Sequence, residues 1–125
     1  MATSSRGTTL LEMMITLVMV TILATVGYPS FSHYLRQSRR VQAQTDLLTL
    51  QLRQEEYYLK HGVYAPSLSE LNSPANPHYD YRLQGSDHDY RITATARASD
   101  GQQGDRGCTT MGLDQQRHMQ PTECW

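Results

Sequence analysis

Residues 6–29 read RGTTLLEMMITLVMVTILATVGYP, and this stretch decides how the rest of the chain is interpreted. From Leu10 to Tyr28 every residue is apolar, threonine or glycine, apart from Glu12. That length is close to the roughly 20 residues that an α-helix needs to cross a bilayer. A carboxylate inside such a helix costs about 2.5–3.5 kcal/mol on insertion scales, so a lone acid there indicates a function. We therefore predict a membrane-spanning helix in which Glu12 has a specific role.

A secretory signal peptide is the main alternative to a membrane helix. Its apolar core would be followed by a small-x-small cleavage site, and neither residues 24–26 nor residues 26–28 make a convincing one. The candidate cleavage point is instead Gly7, which lies before the apolar run and beside Arg6. A basic residue at this end favours a cytoplasmic amino terminus.

Length and charge limit what the remaining chain can be. The 125 residues include 11 basic and 12 acidic side chains, and the net charge of -1 argues against nucleic acid as a partner. The mean hydropathy is only -0.57 despite the apolar run, so the rest of the chain carries few large apolar residues. A small head of this kind needs a covalent link or a partner to stabilise it.

The apolar run continues into an amphipathic pattern, which predicts one long helix from Thr8 to about His61 with Gly62 as its stop. At 1.5 Å per residue such a helix is roughly 80 Å long, which is typical of a helix that packs against other copies or a partner. One apolar stripe recurs at spacings of seven, seven, four and seven: Tyr34, Val41, Leu48, Leu52 and Leu59. The other faces carry polar residues: Gln37, Arg39, Arg40, Gln44, Arg53 and Gln54.

Pro29 lies inside this predicted helix, just after Gly27. Proline removes a backbone hydrogen bond and clashes one turn back, so we predict a kink at Gly27 and Pro29. The alternative is that the helix ends there and a second one starts at Ser30.

The pattern changes to loops and strands after Gly62. Residues 62–77 are rich in Pro, Ser and Asn and predict a loop with a helical turn at residues 67–71. Residues 79–83 and 90–96 alternate and predict an antiparallel hairpin, and residues 108–114 predict a third strand. The fold class is therefore α+β: a long N-terminal helix, transmembrane in its first half and amphipathic in its second, packed on a small antiparallel sheet of three or four strands.

Cys108 and Cys124 are the only cysteines, so one intramolecular pairing is possible. The segment after the membrane helix would lie outside the cytoplasm, where disulfides persist. We predict a C-terminal disulfide loop worth about 3 kcal/mol in the loop-entropy model. Two free thiols are the alternative.

Other side-chain patterns point to no reaction chemistry. Arg36, Arg39 and Arg40 form a basic cluster that fits a solvated helix face, contact with anionic headgroups, salt bridges to neighbouring subunits, or DNA capture. Six tyrosines are predicted to pack in the core or at subunit contacts: Tyr57, Tyr58, Tyr64, Tyr79, Tyr81 and Tyr90. The turn-forming role of Asp and Gly accounts for the aspartate-rich loops without calcium. We predict no enzyme, no cofactor and no metal site.

The amino-terminal residues resemble those of a type IV prepilin. That family has a short basic leader ending in Gly, then Phe-Thr-Leu-Ile-Glu, an apolar helix and a Tyr-Pro pair. Gly7, Thr9, Leu10, Glu12 and the pair Tyr28-Pro29 match this pattern. Thr8 stands where Phe is usual, and Leu11 where Ile is usual. Residues 36–71 and the Cys-to-Cys tail also resemble PilE-like minor pilins.

The resemblance implies how the chain is processed and divided. A prepilin peptidase would cleave between Gly7 and Thr8, and Thr8 would be N-methylated. Glu12 would neutralise the new amino group in the filament, on its own or a neighbouring subunit, and so select the axial register of assembly. Residues 1–7 would be the leader, residues 8–29 the transmembrane and assembly helix, and residues 30–125 a periplasmic head that includes the second half of the helix.

The resemblance also implies partners and location. The chain would sit in the bacterial inner membrane, then in a surface filament, with other major and minor pilins bound through the N-terminal helix. The inner-membrane assembly machinery would be a further partner. The implied function is a minor pilin that supports pilus assembly, twitching motility and adhesion. A type II secretion pseudopilin and a pilus-displayed DNA-uptake receptor remain as alternatives.

Overall fold

A computed structural model describes residues 7–125 of the protein. The predicted leader therefore lies outside the described residues except for Gly7. The chain divides into two compact units, one ending at Tyr34 and the other formed by Leu35–Trp125.

One helix, α1, spans Leu10–His61 and contains 52 residues. It continues through Pro29, so no separate helix begins at Ser30. It ends at His61, and Gly62 follows as the predicted stop. Gly62 has a positive φ of 75°, which suits glycine, and its N–H donates to the Tyr58 carbonyl at 2.8 Å. The kink at Gly27 and Pro29 stays a prediction.

Threonine side chains at the start and in the first half of α1 form hydrogen bonds with the helix backbone. Thr9 caps the first turn, because its Oγ1 accepts a hydrogen bond from the Glu12 backbone N–H at 3.3 Å. Thr16 and Thr21 donate their hydroxyls to carbonyls one turn earlier, each at 2.8 Å. Hydroxyls bonded in this way add little polarity to the helix surface, which suits an apolar environment.

The sheet has three antiparallel strands in the order β1-β2-β3. β1 is Tyr79–Gly85, β2 is Tyr90–Ala96 and β3 is Thr110–Asp114. The predicted hairpin and third strand are confirmed, although β1 extends to Gly85 and β3 starts at Thr110 rather than Cys108. A short 3-10 helix, Leu68–Leu71, forms in the loop where a helical turn was predicted.

The core lies between one face of the helix and one face of the sheet. Leu47 and Leu50 from α1 meet Ile92, Met111 and Leu113 from the strands, and all five are 0% exposed. The alternation along β2 places every second side chain in this core. The predicted α+β class is confirmed.

The C-terminal tail is covalently held to the head. Cys108 and Cys124 form the predicted disulfide, with an S–S distance of 2.05 Å and Cα atoms 5.6 Å apart. Gln44 on α1 donates its side-chain amide to the Cys124 carbonyl. The tail also pairs with β3 through an antiparallel bridge between Gly112 and Gln120.

Candidate assembly surface

The second half of α1 has two faces of different character. The buried face combines apolar residues with polar ones: Ala43, Asp46, Leu47, Leu50, Gln51 and Gln54. The predicted apolar stripe lies on the other face and is exposed, with 52% of Val41, 42% of Leu48, 62% of Leu52 and 85% of Leu59 accessible. The stripe therefore does not pack on the sheet, and the head leaves it available for another chain.

A hydrogen-bonded acid lies on the buried face. Asp46 accepts from the Asn76 side-chain amide at 3.0 Å and from the Tyr81 hydroxyl. The Gln42 amide donates to its other oxygen at 3.1 Å. Burial, and then the bond to Asp46, raise the pKa of Tyr81 well above its usual value. Tyr81 therefore stays protonated and ties β1 to the helix as a donor.

Gln54 and Arg53 fasten the loop after the helix. Gln54 was assigned to a polar face, yet it is fully buried. Its amide donates to the Ala65 carbonyl at 3.2 Å, and its oxygen accepts from the Ala65 N–H at 2.8 Å. Arg53 donates to the carbonyls of Leu71, at 3.0 Å, and Asn72. These polar side chains position backbone and do not face solvent freely.

Aromatic residues close the far end of the head. The Tyr90 hydroxyl donates to Glu55 at 3.3 Å, and the Tyr64 and Tyr90 rings meet edge to face at 4.7 Å. Burial, and then the Glu55 carboxylate, raise the pKa of Tyr90 above its usual value. Tyr79 and Tyr90 are buried, as expected for core tyrosines, whereas Tyr58 is exposed.

A groove of about 560 Å³ extends from the stripe to the loop within the disulfide. Leu48 and Leu52 form its helical wall, while Met119 and Arg117 come from the loop. Arg117 has a positive φ of 63°, which a non-glycine residue rarely adopts. The groove thus joins an apolar helix face to a loop with a constrained backbone.

The basic cluster is partly held inside the head. Arg40 binds both oxygens of Asp105, each at 3.1 Å. The buried Gln102 side-chain amide donates to the Arg36 carbonyl at 3.0 Å. Arg40 is therefore neither a solvated residue nor available to a neighbouring subunit, and it instead anchors residues 100–105 to α1.

Two aspartates at the ends of secondary-structure elements are held by histidine neighbours: Asp100 ends a short 3-10 helix and Asp114 ends β3. Asp100 contacts His78, and the hydrogen bond from this ring lowers the pKa of Asp100. Asp114 accepts from the backbone N–H of Gln116 at 2.9 Å and of His118 at 3.0 Å. Burial raises the pKa of Asp114, but the hydrogen bonds from His118 and Gln116 outweigh it, and the net shift is downward.

The other predicted site residues lie in the first unit. Gly7 and Thr8 precede the helix and are exposed, and Glu12 lies exposed in its first turn. Their predicted roles in cleavage, methylation and assembly stay predictions. The sequence interpretation missed the Thr9 cap, which a threonine three residues before Glu12 could have signalled. Within residues 7–125, no cluster of three His, Cys, Asp or Glu side chains suits a metal ion.

Comparison with known proteins identifies a family for most of the chain. Residues 29–112 match the family described as type IV minor pilin ComP, DNA uptake sequence receptor. The chain belongs to this type IV minor pilin family. The match covers the second half of the helix and most of the head, so the amino-terminal signals from Gly7 to Glu12 fall outside it.

Two individual proteins are similar to this minor pilin. Type IV major pilin protein PilA of Myxococcus xanthus (strain DK1622) is 27% identical over 92 residues, which is 74% of this chain and 39% of the relative. This chain therefore spans 39% of the length of that relative. The structure of a type IV pilin from Shewanella oneidensis is 29% identical, with a TM-score of 0.58, covering 72% of this chain and 97% of that one.

Proposed function

We propose that this minor pilin is cleaved after Gly7, keeps its apolar helix as a membrane anchor, and moves from the membrane into a filament. The observation that carries the proposal is the exposed apolar surface of the helix. From Leu10 to Val26 the large apolar residues are 48–80% exposed, although water is a poor solvent for them. Lipid before assembly, and neighbouring pilin helices after it, would cover this surface.

The exposed stripe on the second half of α1 supports the same function. Leu48, Leu52 and Leu59 recur at helical spacing on a face that the head does not cover. Contiguous exposed apolar side chains mark interaction sites. In the proposed filament this stripe packs against other pilins.

Substitution of Leu52 tests the stripe. We expect Leu52→Glu to leave the head folded and membrane insertion intact but to remove the subunit from sheared filaments, because it buries a charge between helices. Lys60→Glu is the matched control, since it introduces the same residue at an exposed position off the stripe. Equal filament content in the two variants would contradict the proposal.

The free-energy cost of placing the Glu12 carboxylate in the membrane also supports the proposal. After cleavage it would lie four positions from the new amino group of Thr8, and pairing between them in the filament core would offset the burial of both charges. We expect Glu12→Leu to insert in the membrane but not to enter filaments. Normal filament content in that strain would rule out this role, and Glu12→Asp controls for side-chain length.

The family description favours a second candidate function, that of a pilus-displayed DNA-uptake receptor. Arg106 and Arg117 are exposed, and within residues 7–125 no hydrogen bond or salt bridge engages their guanidinium groups. In the proposed receptor these groups contact phosphates. By contrast, Arg97 is held by Asp80 at 2.8 Å.

DNA binding at two salt concentrations tests this candidate. Arg106→Ala and Arg117→Ala should each weaken duplex binding by the full-length protein, and each lost phosphate contact should reduce the slope of log K against log salt by about 0.9. Arg97→Ala, at a residue already paired within the chain, should change the slope least. Absence of salt-dependent binding by the unaltered protein would remove the candidate.

A further inference from the structure

The first strand of the sheet has an open edge, and the backbone hydrogen bonds show which residues face it. β1 pairs with β2 on one side and with no other strand in residues 7–125. The Arg97 N–H donates to the His78 carbonyl at 2.9 Å, and the Ser86 N–H to the Asp89 carbonyl at 2.8 Å, in the register of the hairpin. Even-numbered residues of β1 therefore bond to β2, and odd-numbered residues turn their backbone groups outwards.

Tyr81 and Leu83 consequently direct N–H and C=O groups towards the open edge. Within residues 7–125, no hydrogen bond engages these four groups, whereas the Tyr79 N–H is taken by the Asn76 side chain at 3.2 Å. At the far end of the strand, Leu83 and Pro66 both line a cavity of about 110 Å³, and the Tyr64 N–H donates to the Asp87 carbonyl at 3.0 Å. An unpaired row of this kind is a template for another strand.

The side chains of β1 are complementary to themselves when the strand is reversed. Asp80 and Arg82 are exposed on the outer face, and Asp80 also accepts a hydrogen bond from Arg97 of its own chain at 2.9 Å. We propose that the open edge of β1 binds the same edge of a second copy of this chain as an antiparallel pair centred on Tyr81. In that pair Asp80 lies opposite Arg82 of the partner subunit, and the two-fold axis repeats the contact.

Charge selects this register among the symmetric ones. A centre at Asp80 places two carboxylates opposite each other, and a centre at Arg82 places two guanidinium groups opposite each other, both of which are unfavourable. A centre at Leu83 pairs Arg82 with Gln84 and forms no ion pair. Among these four centres, only the one at Tyr81 places a carboxylate opposite a guanidinium group on each side of the axis, and each Asp80 then lies between Arg97 of its own chain and Arg82 of the partner subunit.

Reversal of single charges tests the pair in detergent. The unaltered full-length protein should show a dimer in sedimentation velocity that Asp80→Arg and Arg82→Asp each abolish, because each creates like-charge pairs. An equimolar mixture of the two variants should dimerise again, since one edge then carries two arginines and the other two aspartates. Arg91→Asp, the same charge change on β2, should dimerise normally, and circular dichroism checks that every variant is folded.

A monomeric unaltered protein in detergent, or a mixture of variants that stays monomeric, would overturn the edge pair, including the case in which another pilin covers the edge. The filament role of Leu52 would remain testable on its own.

Discussion

The two halves of the single helix differ in what surrounds them. From Leu10 to Val26 the large apolar side chains are all exposed. From Ala43 to Gln54 the helix instead buries a mixed face of leucines and hydrogen-bonded polar residues against the head. The first half is apolar apart from Glu12 and its threonines and needs another molecule to cover it, whereas the second half folds with its own chain and presents only a stripe. In the proposed filament, assembly and stability therefore depend on different residues of one helix.

The largest expected effect is a difference in stability between variants of two leucines on opposite faces of the second half of α1. Leu47 is 0% exposed and Leu52 is 62% exposed. Leu47→Ala should reduce the free energy of unfolding by about 2–5 kcal/mol, because it leaves a cavity, and Leu52→Ala should change it by less than about 0.5 kcal/mol. Urea unfolding followed by the single tryptophan, Trp125, measures both. Similar losses of unfolding free energy in the two variants would mean that both faces of the helix contribute equally to the stability of the head.

Removal of the disulfide should have the next largest effect on the head. Cys108 and Cys124 are separated by 16 positions, and in the loop-entropy model such a link contributes about 3 kcal/mol. The double variant Cys108→Ser/Cys124→Ser should lose that stability in the same urea experiment, with no change in membrane insertion. An unchanged midpoint would show that the tail is held by its non-covalent contacts alone.

Gln54 sharpens the comparison between buried and exposed polar residues. Gln54→Ala should cost about 1–3 kcal/mol, because it leaves the Ala65 N–H and carbonyl without partners. Gln37→Ala is the control, since Gln37 is exposed on the same helix. Equal effects in thermal unfolding would indicate that the buried amide does not stabilise the loop.

The smallest expected effect is a dependence of head stability on pH. The pKa of Asp100 is lowered by the hydrogen bond from His78, from a value of 3.8. A carboxyl with a lowered pKa in the folded state contributes stability that is present above pH 3.8 and is lost as the pH falls through the folded pKa. Asp100→Asn should therefore lose less stability than the unaltered protein as the pH falls from above 3.8 through the folded pKa of Asp100, which urea unfolding at a series of pH values measures. A loss of the same size in both would show that this contact does not contribute.

The sequence was sufficient for the elements whose patterns are local. The apolar run, the Gly62 stop and the alternation in residues 90–96 each carry their own signal, and a single cysteine pair leaves one connectivity. The face on which α1 packs was not predictable in this way. The strongest apolar periodicity, from Val41 to Leu59, marks the exposed stripe, whereas the buried face contains Asp46 and Gln54.

The polar contacts of the head depend on residues far apart in the chain. Asp46 meets Asn76 and Tyr81, and Arg40 meets Asp105, only after the helix and the loops have come together. No local pattern distinguishes these side chains from solvated ones. The exposed stripe likewise gains its meaning from the structure, because the same leucines would fit a buried core.

In the proposed function, the same apolar helix stays on the chain in the membrane and in the filament. Mass spectrometry of the protein from sheared surface filaments measures its first residue. We predict a chain that begins at N-methylated Thr8 and still contains residues 8–29. A chain that begins after Tyr28, or a protein absent from filaments and recovered in soluble form, would contradict it.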